Sequence, residues 1–368
     1  MTDSTKTTHI AGTLLIEASG SFLNGAGLGE GEDRNVTVPK TFRDGQYRVP
    51  YVSSQAWKRW LRNTLIEETG WSPSVLKAID LSAKGTTSKI AGELNPVDFA
   101  EDDIFGYMRA EKGQGRSRDE DDVEEDEPRK KVLAGRRTKA VMRASPFAAS
   151  ILVSLRKTGW QGRDEGFVHL KEGTPLPYTT EFYNTNLQGV FCLNYSRLGV
   201  FWNLGDRIEL DEAKAEEFLK SKKIRVKENK GEAGKIYEMV DAKTKRKERA
   251  AELLKALSRL RGGAKQAQFA TDVSPKVLIM AGLTCGNPVF NDLFTDDASG
   301  ATLKIDTLKE LVTDYSDRFT TPIFIGIRGG YLKNEDEVKA IHNKSENGVK
   351  YVITTPICAA EEISKLLP

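Results

Sequence analysis

Apolar and polar positions alternate near the start of the chain. Ile10, Gly12, Leu14, Ile16 and Ala18 share one face, which predicts a strand half-buried on a core. Two further short segments, Thr37 to Phe42 and Gln46 to Val52, flank Asp44-Gly45. That dipeptide tolerates the positive φ of a tight turn, so the pair predicts a hairpin. The period then lengthens. Trp57, Trp60, Leu61, Thr64 and Leu65 recur at helical spacing, behind Ser53 and Ser54, whose hydroxyls suit a helix N-cap. This helix should reach about Glu68 and stop at Gly70 and Pro73.

Further along, Ala140 to Leu155 reads as a core strand following a turn at Ser145-Pro146. A long hairpin-like segment runs from Phe167 to Leu193. Its tip, Gly173 to Tyr178, carries prolines that lack the N–H a central strand needs. Helices are expected at Asp211 to Lys220, Lys243 to Leu260, Asp306 to Asp317 (capped by Asp306) and Ala359 to Leu367. Strands are expected at Lys276 to Ala281, Leu303 to Ile305, Thr321 to Ile327 and Tyr351 to Pro356. No internal repeat is visible. Strands and helices mixed in this way predict an α+β fold, an RRM-like (ferredoxin-like) antiparallel sheet carrying insertions.

Composition narrows the function classes. The chain has 368 residues, 39% hydrophobic and 29% charged, enough for a sizeable core in a soluble protein. No apolar run approaches the ~18 residues of a membrane span. Met1 to Thr8 is polar, with no signal-peptide core. Cys192, Cys285 and Cys358 are far apart and form no CxxC pair, so the chain reads as cytoplasmic, without disulfides or zinc. His9, His169 and His342 are isolated, and the usual hydrolase and nucleotide-binding signatures are absent. No metal, cofactor or catalytic residue is expected.

Net charge is +2, but the charges are segregated. Eight of the nine residues from Asp119 to Glu127 are acidic, inside a polar stretch from Asp103 to Lys131 that reads as a disordered loop. From Lys220 to Arg261 there are 15 Lys or Arg against 6 Asp or Glu. Such blocks say more about partners than the sum does. This basic block could contact DNA or be a solvated helix surface.

The first helix carries the most information. At about 100° per residue, with Gln55 at zero, Lys58 falls near −60°, Arg62 near −20° and Arg59 near +40°. Four long polar side chains therefore share one face, opposite the tryptophans and Leu61. The helix start adds free N–H groups and a positive dipole end beside Ser53 and Ser54. A sugar-phosphate backbone would suit such a face, read without sequence preference; so would plain solvent. The glycines from Asn24-Gly25-Ala26-Gly27 to Gly31 form either a phosphate-following loop or a flexible connector.

The string Val49-Pro50-Tyr51-Val52-Ser53-Ser54-Gln55-Ala56-Trp57-Lys58-Arg59-Trp60-Leu61-Arg62 resembles the signature that opens the first palm helix of CRISPR Cascade backbone subunits of the RAMP superfamily. Arg261-Gly262-Gly263-Ala264-Lys265-Gln266, followed by Thr271 to Pro275, resembles the glycine loop of their DevR-type branch, found in type I-B complexes. The resemblance covers most of the chain in order. It implies a single backbone-subunit unit. Its palm lies near 8–70, 140–160, 189–205 and 270–368, inserted helical fingers near 71–139 and 206–260, and a β-hairpin thumb near 163–188.

It further implies a non-catalytic ribonucleoprotein role in antiviral defence. Copies of the chain would polymerise as a helical filament along CRISPR guide RNA (crRNA), with target DNA bound in an R-loop through the RNA–DNA heteroduplex. Other Cascade subunits would be partners, and either a nuclease-helicase or transposition proteins would act downstream. Ser53, Ser54, Gln55, Lys58, Arg59 and Arg62 would hold the guide, with Gly262, Gly263, Ala264, Lys265 and Gln266. Tyr178, Phe182 and Tyr183 would be thumb wedges between bases, or would equally pack on a neighbouring subunit. Two other readings stay open. One is a metal-dependent RNA-cleaving backbone subunit of the type III kind, using Asp33. The other is a stand-alone RNA-binding regulator.

Overall fold

The computed structural model describes residues 3–29, 35–75, 77–81, 87–91, 93–109, 140–168, 171–174, 176–297 and 299–368. The acidic run and Asp33 lie outside them. The chain forms two compact units. The first comprises Met1–Pro73, Pro146–Leu198 and Lys243–Pro368; the second comprises Ser74–Ser145 and Gly199–Ala242. Residues 243–260, expected in an insertion, therefore belong to the first unit.

That unit is built on one large sheet. Its strands are β1 (His9–Ser21), β2 (Gly25–Leu28), β3 (Val36–Pro39), β4 (Thr41–Asp44), β5 (Tyr47–Val52), β6 (Leu152–Ser154), β7 (Gln161–Val168), β8 (Leu176–Leu193), β9 (Val277–Leu283), β10 (Ile323–Ile327) and β11 (Val349–Thr354), with smaller pieces. The main path runs β11-β10-β9-β1-β8-β6-β5-β4. Helices α1 (Ser54–Thr69), α2 (Ala242–Ser258), α3 (Ile305–Asp314) and α4 (Pro356–Lys365) accompany it. The series β1-α1-β6-β8-α2-β9, with spatial order β9-β1-β8-β6 and every neighbour antiparallel, is the βαββαβ plan of an RRM-like fold. The expected α+β class is the one observed.

The sheet is covered on both faces. On one, α1 places Trp57 edge-on to Phe147, which stacks on Phe191. The Phe191 ring occupies the space a side chain at Gly12 would need. On the other, Ala11, Leu15, Ile279 and Ile325 pack with Leu308 and Val312 of α3. β1 is thus buried on both sides from Ile10 to Ile16, not half-buried as alternation suggested. Ala11, Thr13 and Leu15 supply the second face.

Other boundaries move for local reasons. Gly25–Leu28 is a strand, paired with β3, where a free loop was an open reading. The segment from 140 to 155 breaks into Val141–Arg143, Phe147–Ala149 and β6; Pro146 offers no N–H to continue a ladder. Lys304, not Asp306, is the N-cap residue of α3.

β7 and β8 form the expected hairpin, paired from Gln161–Tyr183 to Val168–Leu176. β8 is one strand of 18 residues. Its first part pairs with β7 and its second with β1, so the hairpin is a direct extension of the core. Pro177 sits inside it opposite Phe167, where the tip was expected. β3 lies parallel beside Thr179 and Thr180.

The second unit has a six-stranded sheet, ordered Ile224–Asn229, Gly234–Met239, Val200–Leu204, Arg207–Ile208, Val141–Arg143, Tyr107–Arg109. Its core gathers Phe201, Leu210, Phe218 and Tyr237. Arg143, wholly buried, is held by Asp103 at 2.5 Å and Glu209 at 2.9 Å. Among the described residues, no helix is long and apolar enough to cross a membrane.

Candidate nucleic-acid interface

The start of α1 is fixed by a short turn at the end of β1. The Ser53 N–H donates to Asn24 Oδ1 at 3.0 Å, and the Lys40 N–H donates to the Asn24 carbonyl at 2.7 Å. Ser53 is the N-cap, its hydroxyl accepting from the Ala56 N–H. Gly70 closes the helix in the left-handed conformation, at φ 65°, where a Cβ would be strained. Trp57 anchors the buried side through Nε1 donating to the Ser150 carbonyl at 2.6 Å.

The opposite face carries the polar residues singled out by spacing. Gln55 and Arg59 are exposed, and Lys58 and Arg62 are half-buried. Gln55, Lys58 and Arg59 have no side-chain hydrogen bond or ion pair among the described residues. Burial, then the neighbouring Arg62 guanidinium, lowers the pKa of Lys58. A phosphate placed there would reverse that cost, because an anion within ~4–6 Å favours the charged form.

Trp60 lies between these two faces, and the structure gives it a second role. Its indole covers Gly262, where an added Cβ would collide with the Trp60 ring. The Thr64 hydroxyl accepts from the Arg261 N–H at 3.0 Å. The Arg261 guanidinium reaches Glu67 at 3.1 Å and Glu68 at 2.7 Å. The SSQ helix and the glycine loop, about two hundred residues apart, are therefore one surface.

The loop continues onto the hairpin base. The Ala264 N–H donates to the Leu23 carbonyl at 2.9 Å. Gly263, at φ 107°, leaves no room for a Cβ beside Leu23 and Gln266. Lys265 Nζ donates to the Thr180 hydroxyl at 2.6 Å and lies over the Phe22 ring. Gln266 Nε2 donates to the Gly262 carbonyl. Lys265 and Gln266 thus hold the loop together and onto the hairpin.

The three aromatic residues of the hairpin separate. Tyr178 is 43% exposed and covers Gly166. Phe182 is half-buried and packs on Phe269 at 5.9 Å. Tyr183 is fully buried, edge-on to Trp160, with its hydroxyl accepting from the Leu23 N–H. Tyr183 is a correction: it is a core residue at the root of the hairpin and cannot wedge between bases. Phe167, 65% exposed, and Val168, 45% exposed, are apolar residues near the tip that the spacing argument passed over. Phe22 and Leu23 were also missed, although Asn24 just after them opens the glycine run that the sequence marks as a loop.

Among the described residues, no group of three or more His, Cys, Asp or Glu could hold a metal ion.

No family model and no curated protein matches the chain. Solved structures do. One chain of a "CRISPR RNA-guided surveillance complex, pre-nicking" aligns over 98% of this chain and all of its own length, with a TM-score of 0.52 at 13% identity. That likeness shows the fold. A chain of a "CRISPR RNA-guided surveillance complex" aligns over 97% of this chain and 99% of its own, with a TM-score of 0.48 and 14% identity. A chain from a type III-B Cmr-beta complex bound to cognate target RNA covers 52% of this chain and 49% of its own, at a TM-score of 0.28 and 9% identity. The last two are too remote to carry an argument.

Proposed function

We propose that this chain is a non-catalytic backbone subunit of a CRISPR RNA-guided complex, of the DevR-type, type I-B kind. It binds guide RNA along the α1 face and polymerises through repeated copies. The guide then presents bases for pairing with target DNA, so sequence recognition is left to base pairing. The observation that carries this reading is the junction of α1 with the glycine loop at Trp60 and Gly262. Two segments distant in sequence make one surface, on which Lys58 and Arg59 have no partner among the described residues, and this suits a phosphate backbone read for charge rather than sequence. The exposed Phe167, Val168 and Tyr178 of the hairpin serve as a wedge against bases or against the next copy, since base–aromatic stacking is worth ~1–3 kcal/mol.

The test is to co-express the chain with a guide-encoding repeat array and weigh the product by native mass spectrometry. A discrete RNA carrying several copies is expected, together with loss of RNA in a Lys58→Ala, Arg59→Ala variant. A single copy on mixed RNA would instead make the chain a stand-alone RNA-binding protein. Regular magnesium-dependent cuts in a complementary RNA would overturn the non-catalytic assignment.

A further inference from the structure

A cavity of about 600 Å³ opens at one end of the first unit's sheet. It lies on the face away from α1, because Glu17 has the strand parity of Ala11 and Leu15, which pack under α3. Register sets its walls in a row. The Arg328 N–H bonds the Lys276 carbonyl, and the Lys276 N–H bonds the Leu15 carbonyl, both at 2.8 Å. Glu17 pairs with Asn186, and Arg156 follows β6. Neighbouring strands are ~4.8 Å apart, so Arg328 stands roughly 10 Å from Glu17 along this row.

The floor is a fixed polar network. The carboxylate of Asp296, with no exposed side-chain surface, accepts from Arg156 at 3.2 Å and from Asn186 Nδ2 at 3.0 Å. The Tyr331 hydroxyl donates to Asn186 Oδ1 at 2.6 Å. Lys276 Nζ is held by Asp272 at 3.0 Å, but other polar groups of the lining are left open. Arg156 Nε is shielded from solvent and has no acceptor among the described residues. The side chains of Arg328 and Glu17 make no hydrogen bond or ion pair among the described residues.

A shielded donor without a partner is unfavourable, and an acceptor in the cavity would relieve that. An unpaired cation and an unpaired carboxylate on strands whose backbones stand roughly 10 Å apart fit a ligand with an anion at one end and donors at the other. The volume falls in the usual range of small-molecule sites, roughly 300–1,000 Å³. We infer that this cavity takes one nucleotide, its phosphate against Arg328 and its ribose hydroxyl or base amine against Glu17. A carboxylate holding a ribose hydroxyl is the same chemistry that dinucleotide-binding folds use. The nucleotide is either free or one unit of a bound strand. The inference stands on this cavity and does not depend on the α1 surface.

The test is calorimetric titration of the full chain with uridine and adenosine monophosphates, inorganic phosphate, and an oligoribonucleotide without terminal phosphates. A monophosphate or the oligonucleotide should bind at least about tenfold more tightly than inorganic phosphate. Arg328→Ala should weaken that binding by about tenfold or more, and Glu17→Gln should remove the preference over phosphate. Neither side chain has a partner to lose, so melting temperature should be unchanged. Lys58→Ala with Arg59→Ala should leave monophosphate binding intact. Displacement of the monophosphate by the oligonucleotide identifies a strand as the source; failure to displace identifies the free nucleotide. If no nucleotide probe binds, or binding is the same in Arg328→Ala, the inference is overturned.

Discussion

Replacing Lys58 and Arg59 by alanine tests the α1 surface through its salt dependence. Neither side chain has a hydrogen bond or ion pair among the described residues, so the fold loses no partner interaction. Each cation that neutralises a phosphate on a single strand releases counterions and adds about 0.7 to the slope of log K against log salt. Two such contacts add about 1.4. Between 50 and 200 mM salt, a fourfold change, the affinity advantage of the native chain over the variant should therefore shrink by about sevenfold. The assay is fluorescence anisotropy of a labelled single-stranded RNA across a potassium chloride series, with a thermal melt of each protein as the folding control. A variant that melts like the native chain and keeps its slope would show that the α1 cations face solvent and not RNA.

Further expectations follow from packing and burial. Gly262→Ala should drive the loop off Trp60, costing about 1–3 kcal/mol by overpacking in urea unfolding and weakening RNA binding as well. Tyr183→Ala should cost about 3–5 kcal/mol as a core truncation, whereas Tyr178→Ala should leave stability within about 0.5 kcal/mol and lower RNA affinity or self-association; equal effects would contradict the separation of these two rings. Burial, then Cys285, pushes the Cys192 thiol up to about 11, so at pH 8 only about one molecule in a thousand carries the thiolate. Iodoacetamide mapping by mass spectrometry should therefore label exposed Cys358 well before Cys192.

The parts of the fold legible in the sequence are those set by neighbours along the chain. The Ser53 cap, the αL closure at Gly70 and the Asp44-Gly45 turn depend on a few consecutive residues, and each is where local rules put it. What failed depended on partners elsewhere. Alternation in β1 shows one apolar face; the second is apolar only because α3 and its neighbours arrive from residues beyond 290. Gly25–Leu28 becomes a strand because Val36–Pro39 lies beside it. Tyr183 reads like Tyr178 in sequence. Its burial comes from standing where β8 passes from the hairpin into the sheet, under Trp160 and Leu23. For the site, spacing placed Gln55, Lys58, Arg59 and Arg62 together, and the glycine loop was found by resemblance. Their contact through Trp60 was legible in neither.

Charge shows the same limit with more consequence. The block from Lys220 to Arg261, with 15 cations, is the strongest electrostatic feature of the sequence, yet the fold divides it between two units and pairs many of its charges. In the second unit Lys223 meets Asp98, and Arg225 and Lys227 share Glu238. In the first, Lys245 meets Glu248, Lys255 meets Glu252, and Arg259 and Arg261 meet acids of α1. An ion pair of this kind is worth about 0–1 kcal/mol to stability, but it reduces the field that would draw a phosphate. Lys58 and Arg59 are only two cations, and neither has an acid partner among the described residues. For a polyanion the relevant quantity is charge left unpaired on a fixed surface. By that measure the block keeps Lys222, Lys235, Lys243 and Lys247, two in each unit, whereas α1 gathers Lys58 and Arg59 within one turn of one helix.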